Sequence, residues 1–410
     1  MKKVITVSLL VICFALLATS CSKDEIITTN PTSAIEIKKK EFVENYVNIV
    51  LASYEDTLNK LYDLQSAIDA FVDNPTESKF EAAKNKWIIS REPYGQTESF
   101  RYYDGPIDGS EGEPEGYINA WPMDEALIDY VTNGTGGQDL SDNRQNIINN
   151  VTEYPTLTKD KLKEISGYNS NESNVSIGYH AIEFLLWGQD NTEPSLKLNG
   201  QRPFTDYTTE TNATRRGQYL KIVTALLVED IKSVVDQWKP GASYRSSFLA
   251  LTSDIAITKI LTGAAKLSKG ELAGERMVVA VENQNQEDEQ SCFSDNTHRD
   301  IYSNAQSIHN IINGAYKNTD GSSISGTSLL DVLKLVNAND ANTLSLTATE
   351  VMNKVETISN AGHFDHQIMT ETIDNFDNPV MSAVKSLRKQ GDELAKAGKL
   401  ITGETIDPSV

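Results

Sequence analysis

His180 and Glu183 stand three residues apart in Gly178-Tyr179-His180-Ala181-Ile182-Glu183-Phe184-Leu185-Leu186-Trp187-Gly188, a short run bounded by glycines. On a helix this spacing puts an imidazole and a carboxylate on one face, while Ile182, Phe184, Leu185, Leu186 and Trp187 leave almost no polar face for water. The pair is therefore expected to be buried. An unpaired carboxylate in such surroundings costs several kcal/mol, so Glu183 must be protonated, hydrogen-bonded or bound to a cation. The residues alone allow a core histidine satisfied by its glutamate, or a pair of metal ligands.

The chemistry can be narrowed by what is missing. A zinc peptidase helix carries His-Glu-x-x-His or His-x-x-Glu-His, so that two imidazoles hold metal and a glutamate activates water. Here Ala181 follows His180 and Phe184 follows Glu183, and the remaining histidines are His298, His309, His363 and His366. Di-iron bundles use Glu-x-x-His on two helices, and this chain has one clear pair in reversed order. A mononuclear site of one imidazole and two carboxylates fits better and suits iron or zinc. His363-Phe364-Asp365-His366 also has ligand spacing, but after Gly362 it reads as the solvated start of a helix. No phosphate loop, nucleotide fingerprint or Ser-His-Asp order is present.

The Gly178 run resembles the Gly-x-His-x-x-Glu signature of the imelysin family, bacterial envelope proteins first classed as metallopeptidases. Three other stretches are similar to that family: Arg91 to Arg101, Ile118-Asn119-Ala120-Trp121-Pro122-Met123-Asp124-Glu125, and Gln286 to Asp300. The last resembles the family's iron-regulated branch, with Gln290 where that branch has histidine. The resemblance covers nearly the whole mature chain. It implies an all-α fold of two similar four-helix bundles with long ordered loops and a functional site where they meet. It also implies one divalent or trivalent metal ion, with iron favoured and zinc open. Glu98, in a family-like motif, is the expected third metal ligand beside His180 and Glu183. Trp87, Arg91 and Tyr94 are expected to wall the site, with Trp121 and His298 in the same ligand pocket; Trp121 either caps the bundle end or meets the ligand. The implied function is capture of iron or an iron compound for uptake, with a transporter as partner. The alternative is a metallopeptidase, which the incomplete zinc motif disfavours.

These residues need a scaffold, and periodicity supplies one. Ser33 with Glu36 forms a capping-box pattern, and apolar residues recur at helical spacing through Phe42, Tyr46, Ile49, Leu58, Leu61, Leu64, Ile68 and Phe71 to Asn74-Pro75. A helix of that length reaches roughly 60 Å. A second helix is expected from about Thr76 to Arg91, ended by Pro93. A short one follows from Pro122 to Tyr130, then two near 143–151 and 159–166, and a long one from Ala213 to Trp238. Lys239-Pro240-Gly241 is the expected domain boundary, dividing a domain of 33–240 from one of 241–410. Beyond it, helices are expected over Ser243–Leu267 and Gly270–Asn283, then near 298–316, 328–336, 340–359 and 379–399. No strand-length alternation competes with them. Ala181 to Gly188 can be laid on Ser307 to Gly314, a faint echo that a duplicated bundle would leave.

Residues 1–20 read as an export signal: Lys2 and Lys3, an apolar run from Val4 to Leu17, then Ala18-Thr19-Ser20. That run is too short for a good membrane span. Cys21 follows at once, as in lipoproteins cut before a lipid-carrying cysteine, and 21–32 would be the tether. The expected place is the cell envelope, lipid-anchored to the outer membrane on its periplasmic side or at the cell surface. Cleavage leaves 35 basic against 58 acidic side chains, a balance of −23 that argues against nucleic acid and against anionic lipid. The acyl chain would thus be the membrane contact. With Cys13 removed and Cys21 acylated, Cys292 has no partner for a disulfide, so stability must come from the core.

Overall fold

The computed structural model describes residues 31–109, 114–131, 146–167 and 172–410. The signal, Cys21 and most of the 21–32 tether lie outside them. Helix α1 (Pro31–Asp73) starts two residues before the expected cap at Ser33 and buries every one of the eight apolar positions from Phe42 to Phe71. Thr76 caps α2 by accepting from the Lys79 amide. This helix runs through Pro93 to Gly95, one turn beyond the expected end at Arg91. Proline costs one amide donor but leaves the next carbonyls usable, and the Pro93 and Tyr94 carbonyls accept from the Gln96 and Thr97 amides.

Short helices α3 (Glu115–Ile118), α4 (Glu125–Ile128) and α5 (Lys159–Ile165) follow, with α3 and α5 packed on the long helix of residues 213–238. Pro122 does not start α4: Asp124 caps it through the Ala126 amide, and the Trp121–Pro122 bond is cis. The expected helix near 143–151 is a turn in its described part. Helices α6 (Tyr179–Trp187) and α7 (Ala213–Trp238) follow, and α1, α2, α6 and α7 pack as one group.

After Lys239-Pro240-Gly241 come α8 (Ser243–Leu249) and α9 (Ser253–Lys266), which continues through a π-helical stretch, Leu267–Val278, into α10 (Val279–Asn283). The expected break near 268 is absent. The chain turns instead at Ala250 to Thr252, where Thr252 caps α9. Helix α11 (Thr297–Asn313) ends at Gly314, and a small hairpin follows: β1 (Ala315–Lys317) antiparallel to β2 (Ser323–Ser325), with Tyr316 opposite Ile324. Three-residue strands are too short for alternation to reveal, so this hairpin departs from the expectation of helix to 316. Helices α12 (Leu329–Val336), α13 (Ala338–Ala361), α14 (Phe364–Ile368) and α15 (Pro379–Thr402) complete the chain. Helices α9, α11, α13 and α15 form the second group, an all-α arrangement apart from the hairpin.

The groups meet where α2 crosses α11 and where α1 and the Glu98–Phe100 turn lie on α9. Backbone approach is close there. A Cβ at Gly95 would stand 2.6 Å from Ser303 Cβ, so this crossing requires glycine. The two echoed segments, ending at Gly188 and Gly314, fall in different groups and both end on a left-handed glycine.

Candidate functional site

Helix α6 is buried along its whole length, as its composition requires. Gly178 has φ 91°, and a Cβ there would lie 2.7 Å from the carbonyl oxygens of Tyr117 and Ile118, so only glycine lets α6 start beneath that turn. His180 Nδ1 lies 2.8 Å from Glu183 Oε2, and both side chains are fully buried. Glu183 Oε1 accepts from the Ser294 amide at 3.0 Å and from Ser294 Oγ at 2.6 Å. His180 Nε2 has no hydrogen-bond partner.

Burial pushes Glu183 up to about 8, with the Ser294 hydroxyl pulling the other way. Burial also holds His180 well below its usual range, reinforced by the Arg91 guanidinium. The imidazole is therefore neutral at neutral pH and shares a proton with Glu183 across Nδ1. A cation at Nε2 would fix that proton on Nδ1 and leave Glu183 ionised, the carboxylate–histidine–metal order in which the carboxylate orients and the imidazole ligates.

The expected wall residues lie close by but are committed to one another. Trp87 donates to the Tyr179 carbonyl at 3.0 Å and packs edge-on against Trp187. Arg91 pairs with Asp300 at 3.1 Å, donates to Asn119 at 2.6 Å, and lies over Tyr179 and Tyr94. Tyr94 packs against Tyr179, and its buried hydroxyl has no hydrogen-bond partner. His298 donates through Nδ1 to the Asp295 carbonyl at 2.8 Å. Trp121 is half-buried and packs against both the His180 imidazole and Phe293.

A cavity of about 390 Å³ opens beside Trp121, lined also by Arg101, Glu115, Asn119, Glu271 and Arg276. Of the five expected pocket residues, Trp121 alone borders it. Glu98 is held by arginines: Oε2 accepts from Arg276 at 2.8 Å and from Arg101 at 3.1 Å. Burial would raise this carboxyl, but Arg276 and Arg101 more than offset it and hold Glu98 at about 2. Among the described residues, the set of three metal-donor side chains whose ligand atoms lie within 4.8 Å of one another is Asp295, His363 and Asp365, not His180, Glu183 and Glu98. His180 thus offers one free nitrogen, Glu183 orients it, and Glu98 presents no uncommitted charge. Such a donor set fits a metal compound that brings donors of its own.

The imelysin family model matches residues 50–394. The chain belongs to the imelysin family. Among its relatives, iron-regulated protein A of Synechococcus elongatus is 25% identical over 73% of this chain and 68% of its own length. Two crystal structures share the fold. One is a candidate iron-regulated protein A precursor from Parabacteroides distasonis, with TM-score 0.64 and 18% identity, over 88% of this chain and 95% of its own. The other is an imelysin-like protein from Psychrobacter arcticum, with TM-score 0.54 and 13% identity, over 91% and 98%.

Sequence reasoning missed Ser294, which holds Glu183, Asp300 and Asn119, which hold Arg91, and Arg276, which holds Glu98. Of these, Ser294 and Asp300 lie in the family-like stretch after Gln290. Arg276, in the π-helical stretch, gave no signal. The His363 segment is a helix start as expected, but Phe364 and Asp365 are buried rather than solvated.

Proposed function

We propose that this imelysin-family protein is an envelope lipoprotein, anchored to the outer membrane through Cys21, that binds an iron compound at His180 and serves iron uptake. The observation that carries the reading is His180 Nε2, a fully buried ring nitrogen with no partner, beside a ring whose other nitrogen is fixed by Glu183. A buried polar atom left unsatisfied is costly unless something completes it. One imidazole nitrogen fits a metal already carrying other donors, and the neighbouring cavity has room for a small chelate with Arg101 and Arg276 on its wall. Trp121, bordering both cavity and imidazole, would be displaced as the ligand enters. The Synechococcus relative, named for its regulation by iron, supports iron over zinc. A peptidase role is less well supported, because Glu183 is held by His180 and Ser294 and is not free to activate water.

Titration calorimetry with ferrous, ferric and zinc ions and with ferric citrate tests this. Wild type is expected to bind one ferric citrate per chain, His180→Ala at least tenfold more weakly, and Cys21→Ser should leave the membrane fraction while binding unchanged. Equal binding by wild type and His180→Ala, or none by wild type, would refute the assignment.

A further inference from the structure

Four buried carboxylates gather behind Ser294 from segments far apart in sequence. Asp190 follows α6, Glu289 and Asp295 lie between α10 and α11, and Asp365 is in the first turn of α14. They are between 0% and 4% exposed. Ligand atoms of Asp295, His363 and Asp365 all lie within 4.8 Å of one another, close enough to share one ion. His363 Nδ1 contacts Asp295 Oδ2 at 2.9 Å.

Two features separate this cluster from an ordinary acidic patch. Both oxygens of Glu289, which is fully buried, lack a hydrogen-bond partner, as do Asp190 Oδ2 and Asp365 Oδ1. The charges acting most strongly on Glu289 are Asp365 and Asp295, so its uncompensated charge adds to that of the cluster. The Thr297 hydroxyl, which accepts from the Ser291 amide, pulls Glu289 the other way but does not offset its burial. Moreover, among the described residues no lysine or arginine forms an ion pair with any of the four. Uncompensated burial of several like charges is unsustainable without protons or a cation.

We propose that Asp295, Asp365 and His363 bind one hard divalent cation of the manganese and calcium class, with the unpartnered carboxylate oxygens of Glu289 and Asp190 adding negative charge around it. Carboxylate-rich donor sets select such ions, and a single imidazole leans the set toward manganese. The ion has a second consequence through the chain: Asp295 is the neighbour of Ser294, whose amide and hydroxyl hold Glu183. A cation here fixes the loop that orients the His180–Glu183 pair. The site is separate from the iron reading and can stand or fall without it.

The test is titration of chelator-treated, full-length mature protein with manganese(II), followed by loss of the free-ion signal in electron paramagnetic resonance. Wild type and His180→Ala are expected to take up one equivalent, displaceable by excess calcium. Asp365→Asn and Glu289→Gln should bind at least tenfold more weakly. Binding unaffected by both carboxylate substitutions, or lost in His180→Ala alone, would overturn the proposal. The wild-type thermal midpoint, which needs no variant, should rise with manganese or calcium; a midpoint that moves with neither would also overturn it.

Discussion

Two sets of buried acids divide the molecule. Asp129 pairs with Arg202 at 2.8 Å and Arg216 at 2.6 Å, Glu98 with Arg276 and Arg101, and Asp300 with Arg91. Despite burial, arginines hold Asp129 below its ordinary value and Glu98 at about 2. In the second set, burial followed by Asp365 and Asp190 pushes Asp295 up to about 8, and Glu289 is driven well above the carboxylate range. Burial is common to both sets and the countercharge is not. Where arginine is built in, the protein has completed its own electrostatics; where it is not, a proton or a bound cation has to complete it.

The comparison can be broken from its strong side first. Arg91→Met leaves Asp300 buried without its cation, with Ser291 still donating to it, and should cost about 3–5 kcal/mol in urea unfolding. The same kind of change in the second set should have the opposite sign. In chelator at pH 8, Asp365→Asn removes one of several repelling charges and should stabilise the protein by about 1–4 kcal/mol, a gain that manganese abolishes. A variant less stable than wild type under chelation would erase the distinction between the sets.

A third case sharpens it on the pH axis. Glu125 is 2% exposed, has among the described residues neither a partner for Oε2 nor an arginine beside it, and burial pushes it up to about 7. The folded state therefore binds this proton more tightly than the unfolded chain. Its contribution is fully present below about pH 4.5 and lost as pH rises through about 7. Unfolding free energies at pH 5 and pH 8 should differ less in Glu125→Gln than in wild type, by on the order of 1–2 kcal/mol. Glu98 should act in the reverse direction: its stabilisation is present above about pH 4.5 and lost as pH falls toward about 2.

Much of this scaffold was legible because it rests on local periodicity. The apolar positions of α1 and the span Ala213–Trp238 appear as expected, and the burial of His180 and Glu183 follows from the residues beside them. Backbone breaks were less legible. Pro93 failed to stop α2, Gly270 failed to interrupt the π-helical stretch, and a three-residue hairpin carries no periodic signal. At the site, spacing identified the pair but not its partners. Glu98 has the right chemistry for a ligand, yet Arg276 reaches it from 178 residues away, a contact that no local pattern encodes. The acidic cluster was equally hidden, since its members come from three separate segments and each alone looks like a solvated turn.

The most direct measurement is anomalous diffraction at the iron edge from crystals of the mature protein loaded with ferric citrate. The expected result is one iron peak against His180 Nε2, absent from crystals of His180→Ala, with Trp121 displaced from its contact with the imidazole. Iron found only among Asp295, His363 and Asp365, or no iron within ligating reach of His180, would contradict the assignment of this imidazole as the iron ligand.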